Sequence, residues 1–293
     1  AAGGVGNNLT VNTTVDSTGA GAITLLGQND ILVNQNVTSQ GGNLYGRAVD
    51  GTFNQDLLSV LSSNGANIRV EAAQDITLGN VNSGGFIVSI VSGGDILDAQ
   101  NDTVSVDANG FATPTGDPRT VNITGGSVRL DADGSIGIAG NPLDIAVDTI
   151  AALGGNNVHL YESDALAVGS VLGTVNQVNL DSTETTRPSL VSAITGIVAN
   201  SGVAKVETIG GTLTVNETLS AGDDILLAAG SALSDIVLNA NVSSPGSGDL
   251  TLLAQNDLFQ NADLTTSGAG SLFVEALDGS IVMADENLSS TVD

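Results

Sequence analysis

The sequence contains no cysteine, no tryptophan and a single histidine, His159. The lack of cysteine excludes disulfide-stapled scaffolds and structural zinc fingers, because both depend on thiols. A nucleophile–histidine site would have to use His159, which lies between Val158 and Leu160. Successive side chains of a strand point to opposite faces, so inward Val158 and Leu160 would direct His159 outward. The sequence therefore predicts a surface histidine and no catalytic residue.

Cations are also scarce, since Lys and Arg together number 6 against 32 Asp and Glu, for a formal net charge of −26. A nucleic acid needs a cationic protein face, so the composition excludes nucleic acid as a partner. No apolar run reaches the ~18 residues of a membrane span. No basic segment followed by an apolar one opens the chain. We therefore expect no transmembrane segment, and a chain that begins as a mature or excised piece.

Small and branched aliphatic residues, glycine and short polar residues make up most of the sequence. Of 293 residues, 41% are hydrophobic and 13% are charged, which is too apolar for a disordered acidic chain. Aromatic residues make up only 2%, so the core must be built from aliphatic side chains, which suit pleated sheets. The 38 glycines, with frequent Asp and Asn, favour tight turns. This composition predicts many short strands joined by many turns.

A pair of short apolar segments recurs along the chain. Within each segment the apolar residues are two apart, and the second segment starts eight residues after the start of the first. The complete copies are Ile23/Leu25 with Ile31/Val33, Ile68/Val70 with Ile76/Leu78, Val128/Leu130 with Ile136/Ile138, and Val158/Leu160 with Leu166/Val168. An aspartate often ends the turn before the second segment, as at Asp30, Asp75, Asp95 and Asp257. A period of two is typical of strands and differs from the helical pattern.

The copies recur after 20 residues from Ile68 to Val88 and after 22 residues from Leu250 to Leu272. Three short strands per unit, stacked on the next unit, make a parallel β-helix. The crossover rule favours right-handed winding. We therefore predict an all-β, right-handed parallel β-helix of 20–22-residue coils, as one domain over residues 1–293. At ~4.8 Å per coil, about 13–14 coils would form a rod. An ordinary β-sandwich is the alternative arrangement of the same strands.

Two segments interrupt the repeat, near residues 99–124 and 181–190, and both contain proline. Proline lacks the N–H that a coil donates to its neighbour, so these segments are predicted to be loops outside the coil. Loops that leave a solenoid often carry its binding specificity. The segment Leu219–Leu238 is ambiguous, because it fits either a short helix or two compressed strands.

Three segments resemble the repeats of filamentous haemagglutinin-like adhesins and related giant autotransporter-type bacterial surface proteins. They are GAITLLGQNDILVNQNVTSQGG, GANIRVEAAQDITLGNVNSGG and GSLFVEALDGSIVMADENLSSTVD. The resemblance implies a right-handed β-helical shaft that is secreted, is held at the bacterial cell surface, and acts in adhesion or as a stalk. No functional residue carries over from the family. The secretion-domain signature of such proteins is not evident, and Asn141-Pro142-Leu143 matches it only weakly and in the wrong place.

One alternative function comes from another class, a β-helical carbohydrate-active enzyme. Arg69 and Arg129 both lie between inward-facing residues, hence on an outer face, and Asp131 and Asp133 follow Arg129. Polysaccharide lyases and hydrolases with β-helical folds use such groupings of acids and bases. Such an enzyme needs a compact acidic–basic cluster in a groove, whereas a shaft needs only repeated polar faces. The shortage of aromatic residues also weakens any sugar-binding platform.

Calcium is the only cofactor that the sequence suggests. Hard cations bind several oxygen ligands, which Asp-rich turns supply, and the best candidates are Asp131, Asp133, Asp223 and Asp224. Neither pair completes the loop of an EF-hand or the glycine-rich nonapeptide of calcium-binding β-rolls. The alternative is that these turns are simply solvated.

Taken together, these features predict a non-enzymatic shaft of a large secreted bacterial surface protein, working in adhesion or as a structural fibre. The last copy of the repeat, from Leu272 to Val292, keeps its pattern to the terminus and carries no polar cap. An uncapped coil exposes unpaired backbone groups. The expected partners are flanking repeats of a longer chain or other copies stacked end to end, with host or surface glycans or proteins as further candidates.

Overall fold

The computed structural model describes residues 6–100, 103–115, 120–188 and 192–284. The regular structure of these residues is β-strand, with no helix among them. The strands stack in parallel as a β-solenoid of about 12 turns, with successive turns about 22 residues apart. The predicted all-β parallel β-helix is therefore confirmed. It has fewer turns than the chain length alone suggested, because two segments leave the coil and pair as antiparallel hairpins.

In the N-terminal part, each coil has one long strand followed by two short ones. The strands are β1 (Leu9–Val11), β2 (Val15–Asp16), β3 (Ile23–Gly27), β4 (Ile31–Val33), β5 (Val37–Thr38), β6 (Leu44–Ala48), β7 (Phe53–Gln55), β8 (Val60–Ser62), β9 (Ile68–Ala72), β10 (Ile76–Leu78), β11 (Asn80–Asn82), β12 (Ile87–Ser92) and β13 (Ile96–Asp98). They form three parallel columns: β3–β6–β9–β12, β1–β4–β7–β10–β13 and β2–β5–β8–β11.

The middle of the chain contains both hairpins and the two longest strands. Its strands are β14 (Thr103–Val106), β15 (Ala112–Thr115), β16 (Ile123–Ala132), β17 (Leu143–Gly154), β18 (Val158–Glu162), β19 (Leu166–Val168), β20 (Ser170–Val171), β21 (Val175–Val178), β22 (Glu184–Arg187), β23 (Ile194–Thr195) and β24 (Ile197–Ala199). The first hairpin is β14–β15 and lies within the predicted excursion at 99–124. The second hairpin is β21–β22 and begins before the predicted 181–190. Residues 101–102, 116–119 and 189–190 of these predictions lie outside the described residues.

Regular coils resume after the second hairpin. They consist of β25 (Ala204–Thr208), β26 (Leu213–Val215), β27 (Leu219–Ala221), β28 (Ile225–Ala229), β29 (Ile236–Leu238), β30 (Val242–Ser244), β31 (Leu250–Ala254), β32 (Leu258–Gln260), β33 (Leu264–Thr266), β34 (Leu272–Ala276) and β35 (Ile281–Met283). The ambiguous segment Leu219–Leu238 is thus made of strands. This segment contains no proline, and its apolar residues alternate. It forms strands because each inward residue stacks on the equivalent residue one coil away.

The long-strand column changes face at the centre of the β-helix. The N-terminal long strands continue into β16 and β17, after which that column divides into the short strands β19 and β24. The short-strand column that ends at β13 passes through Ile136 to β18, and from β18 onward it holds the long strands β25, β28, β31 and β34. The switch lies along the 12-residue strand β17, whose first residues pair with β18 and whose later residues pair with β19 and β24.

The core consists of rows of aliphatic side chains in register between coils. Ile76 pairs with Phe53 on one side and Ile96 on the other, and all three are fully buried. The inward residues of the four complete copies are likewise buried, except that Ile23 is half-buried and Ile138 is exposed. Ile138 is 51% exposed, so its assignment to the core was wrong. It belongs to a tight turn in which Ile138 and Asn141 exchange backbone hydrogen bonds of 3.1 and 3.0 Å.

The aspartates that end the turns connect one coil to the next. In each case a carboxylate oxygen accepts a hydrogen bond from a backbone N–H of the following coil. The bonds are Thr52 N to Asp30 Oδ1 (3.0 Å), Asp95 N to Asp75 Oδ1 (2.8 Å), Ser135 N to Asp95 Oδ1 (2.6 Å) and Ser280 N to Asp257 Oδ1 (2.8 Å). These N–H groups lie at corners between strands, so the aspartates satisfy donors that lie between the regular ladders.

The same aspartates require glycine in the neighbouring coil. A Cβ atom at Gly51, Gly94, Gly134 or Gly279 would overlap with the carboxylate oxygen of the preceding aspartate. The pairing of a turn aspartate with a glycine one coil later is therefore steric as well as polar. It accounts for the recurrence of Asp and Gly at the same corner of the repeat.

We expect Gly94→Ala to destabilise the β-helix by about 1–3 kcal/mol, the usual range for overpacking. The new methyl group would displace the Asp75 carboxylate and break its bond to Asp95 N. Thermal unfolding followed by circular dichroism measures the effect. Gly19→Ala is the control, because nothing lies within 4 Å of its Cβ position. Equal melting temperatures for the two variants would contradict this account of the turn.

Candidate functional site

The outward face of the long strands pairs cations with acids two residues further along the same strand. The pairs are Arg69 Nε–Glu71 Oε1 (2.5 Å), Arg129 Nη2–Asp131 Oδ2 (2.7 Å) and Lys205 Nζ–Glu207 Oε2 (3.7 Å). Residues two apart on a strand share a face, so each pair follows from the sequence spacing. Arg69 and Arg129 lie on the predicted outer face, but they are only 4% and 8% exposed.

The second hairpin covers this face in the N-terminal half. Arg69 Nη1 donates to the carbonyl of Gly173 (3.2 Å), and Asn67 Nδ2 donates to the carbonyl of Thr174 (2.9 Å). Nearer the hairpin tip, the backbone N–H of Val178 donates to Thr24 Oγ1 (2.8 Å). The hairpin therefore extends back from the middle of the chain over the long strands that precede it.

Glu71 is the centre of a polar cluster beneath the second hairpin. It accepts hydrogen bonds from Tyr45 Oη (2.8 Å) and Arg69 Nε (2.5 Å), and Arg47 Nε lies 3.7 Å from it. Burial, reinforced by the charge of Glu71, raises the pKa of the Tyr45 phenol far above its ordinary value. With its carboxylate engaged by two hydrogen-bond donors and one further ion pair, Glu71 holds the cluster together.

The first hairpin lies over the long strands of the C-terminal half. Phe111, at its turn, is buried against Ala228 and Leu253, with Leu226 and Leu277 beside them. Asp107 shapes this turn, because its Oδ1 accepts the N–H groups of Asn109 (2.8 Å) and Phe111 (3.0 Å). The first hairpin, from the N-terminal half of the sequence, thus covers the outward face of the C-terminal half of the β-helix. The second hairpin, from the C-terminal half of the sequence, covers the outward face of the N-terminal half.

His159 is not the surface residue that the sequence predicted. It does point away from the core, but it is only 6% exposed, and its Nδ1 has no hydrogen-bond partner. Burial, with a smaller contribution from the charge of Lys205, lowers the pKa of His159 to about 4. The imidazole is therefore neutral at physiological pH. The alternation of side chains along the strand correctly predicted that His159 points outward. Its burial depends on residues distant in the sequence, which this pattern does not report.

His159 lines a cleft of about 430 Å³ between the long strands and the turn of the first hairpin. We call it the His159 cleft. Its other lining residues are Gly110, Val203, Lys205, Asp224, Ile225, Leu226, Asp249, Thr251 and Leu253. The only histidine and the only lysine of the chain are neighbours here, paired in register one coil apart.

The four predicted calcium ligands form two separate pairs, Asp131 at the end of β16 with Asp133 after it, and Asp223 with Asp224 before β28, and in each pair at least one carboxylate has another partner. Asp131 pairs with Arg129 at 2.7 Å, and Asp224 Oδ1 accepts the N–H of Asp249 at 2.8 Å. Asp133 and Asp223 are exposed. Over the described parts of the chain, no cluster of three or more His, Asp and Glu is arranged to hold a metal ion. Calcium binding at these turns stays a prediction.

Glu162 is a buried acid that the sequence analysis overlooked. It is fully buried at the end of β18, where Ile145 is its register partner in the preceding coil. Its Oε2 accepts the N–H of Val147 (3.1 Å), and its Oε1 accepts the N–H of Asp164 (3.2 Å). Burial is the largest influence and raises its pKa to about 8, although these hydrogen bonds oppose the shift. Glu162 thus satisfies backbone donors where the long-strand column changes face.

Glu162 makes the β-helix less stable as pH rises from about 4.5, its ordinary pKa, to about 8, its value in the folded chain. In that range the unfolded chain has already lost a proton that the folded chain retains, at a cost of up to about 1.4 kcal/mol per pH unit. Glu162→Gln keeps an acceptor oxygen and removes the titration. We expect its melting temperature to fall less than that of the native chain between pH 5 and pH 8, roughly the interval between these pKa values.

Glu217→Gln, between β26 and β27, is the matched control and should follow the native chain. Parallel pH profiles for Glu162→Gln and the native chain would show that Glu162 is not the titrating group.

The chain has no match among models of protein families, curated proteins or solved structures. In the described residues, no helix is long and apolar enough to cross a membrane.

Proposed function

We propose that this chain is a non-enzymatic β-helical shaft of a large secreted bacterial surface protein, acting in adhesion or as a structural fibre. The observation that carries the proposal is the state of the last coil. Leu272, Ile281 and Met283 are 37%, 41% and 44% exposed, although they continue inward rows of the core. Their partners one coil earlier, Leu250 and Leu258, are fully buried. No described residue covers this surface, which has the register of a coil-to-coil interface, and residues 285–292 of the predicted last copy lie outside the described residues.

The exposed surface of the last coil could be covered either by a flanking repeat or by a second copy of this chain. The long strands lie on different faces at the two ends of the β-helix, and this difference favours a flanking repeat. A copy stacked end to end with its strand columns continuous with those of this chain would place β1, of three residues, on β34, of five residues. That arrangement leaves part of β34 unpaired. A further coil whose five-residue strand lies in the same column as β31 and β34 would pair with all five residues of β34, in the way that β31 does. The proposed partner is therefore a continuing repeat of a longer chain.

The alternative, a carbohydrate-active enzyme, has less support in the outward acid–base pairs. Arg69 and Arg129 are buried, and Arg69 is hydrogen-bonded to the second hairpin. A general acid or base must reach the proton that it transfers. The Arg69–Glu71 pair instead binds a neighbouring part of the same chain, at the Gly173 carbonyl.

We expect that a chain lengthened after Ala284 by a second copy of residues 240–261, which continues the register Leu238–Gln260–Met283, melts at a higher temperature and binds less of a hydrophobic dye. The added coil would bury Leu272, Ile281 and Met283 and pair the free edges of β34 and β35. The control is the same extension with asparagine at its inward leucines. No gain over this control would count against the shaft, and head-to-tail filaments of the original chain would favour self-assembly over flanking repeats.

A further inference from the structure

The first hairpin is a small sheet of its own. Among the described strands, β14 and β15 pair with each other alone, in antiparallel register. The backbone hydrogen bonds of its turn are internal as well, from Asp107 N to the Phe111 carbonyl (2.8 Å) and from Gly110 N to the Asp107 carbonyl (3.2 Å). A two-stranded hairpin is marginally stable by itself in water. The order of this hairpin therefore depends on its packing against the β-helix.

Phe111 provides this packing. Its side chain is 4% exposed and lies against Ala228 and Leu253, which are register partners on the outward faces of β28 and β31. Together with the partly buried Leu226 and Leu277, these two residues form what we call the Phe111 socket. The socket is an apolar cluster separate from the continuous core of the β-helix. Release of the Phe111 ring would therefore leave that core intact.

Two glycines make room for the contact between the hairpin and the socket. The three heavy atoms nearest to a Cβ atom placed at Gly230 all belong to Phe111, and the closest is Cδ1 at 3.0 Å. A Cβ atom at Gly110, whose φ is +92°, would lie 3.2 Å from Leu253 Cδ1. Beside this contact lies the His159 cleft of about 430 Å³, which Gly110 lines from the hairpin side. The close packing of the turn on the long strands is thus concentrated at Phe111.

We propose that the first hairpin is a strap that opens and closes on the folded β-helix, with Phe111 as its anchor. In the closed state the ring covers the socket. In the open state the ring leaves, and Leu226, Ala228 and Leu253 form an apolar surface on a chain whose formal charge is −26.

Opening of the strap needs only the loss of the Phe111 contact, because the pairing between β28 and β31 does not involve the hairpin. Elements with few buried apolar contacts open locally at a lower free energy than the whole fold. The inference does not depend on the shaft proposal, because it concerns the folded chain alone.

Amide hydrogen exchange in the full chain measures the opening. Residues 107–111 should exchange at least about tenfold faster than Ile225–Ala229, whose strand is paired on both sides within the β-helix. Phe111→Ala should accelerate exchange in the hairpin by at least a further tenfold or so, because it removes the burial of a phenylalanine ring. The rate at Ile225–Ala229 should stay the same.

Gly230→Val tests the same contact from the β-helix. It leaves the hairpin sequence intact and places methyl groups where the Phe111 ring lies, so it should also accelerate exchange in the hairpin. Phe86→Ala is the matched control, because Phe86 is a half-exposed phenylalanine outside the hairpin, and it should change nothing there. Exchange of residues 107–111 at the rate of Ile225–Ala229 in the native chain would overturn the proposal. So would equal hairpin rates in the three variants, or an acceleration that extends to Ile225–Ala229.

Discussion

The parallel stacking of coils in exact register determines the rest of this structure. Because the backbone hydrogen bonds run from coil to coil, each inward side chain must lie on its equivalent in the next coil, as Ile76 does on Ile96. The corners are held to the same register by turn aspartates such as Asp75. Outward side chains carry no such restriction. The long-strand faces are therefore free to hold ion pairs, hairpins and the His159 cleft without disturbing the core.

Features that depend on neighbouring residues in the sequence were predictable. Alternation with a period of two identified the buried residues Ile68 and Ile76, and the eight-residue offset identified the coil. Ile138 was misassigned because Gly137, with a φ of +62°, turns the backbone out of the strand. Burial of outward residues was not predictable, since it depends on contacts over long sequence distances. Arg69 reaches Gly173, 104 residues away, and nothing local to Arg69 indicates that contact.

Glu162 shows a signal that was present in the sequence and was missed. Counting two residues from the inward Leu160 places Glu162 inward as well, at a position where the other long strands end in a small residue such as Ala72, Ala132 or Ala229. An acid at such a position is costly unless it bonds to backbone groups. Its occurrence just after the 12-residue strand β17 marks the coil where the regular repeat fails.

The change of long-strand face explains why the two hairpins emerge near the centre of the chain. At the switch, a strand column ends on one face and begins on another, so corners open and buried polar residues must close them. Asn122 does this by donating to the carbonyls of Leu78 (3.0 Å) and Gly79 (3.1 Å) and accepting the N–H of Asp144 (2.9 Å). The hairpins leave on either side of this region and extend in opposite directions along the long strands. Each one ties the switch region to the regular coils beyond it, through the bond from Arg69 to Gly173 on one side and the packing of Phe111 on Leu253 on the other.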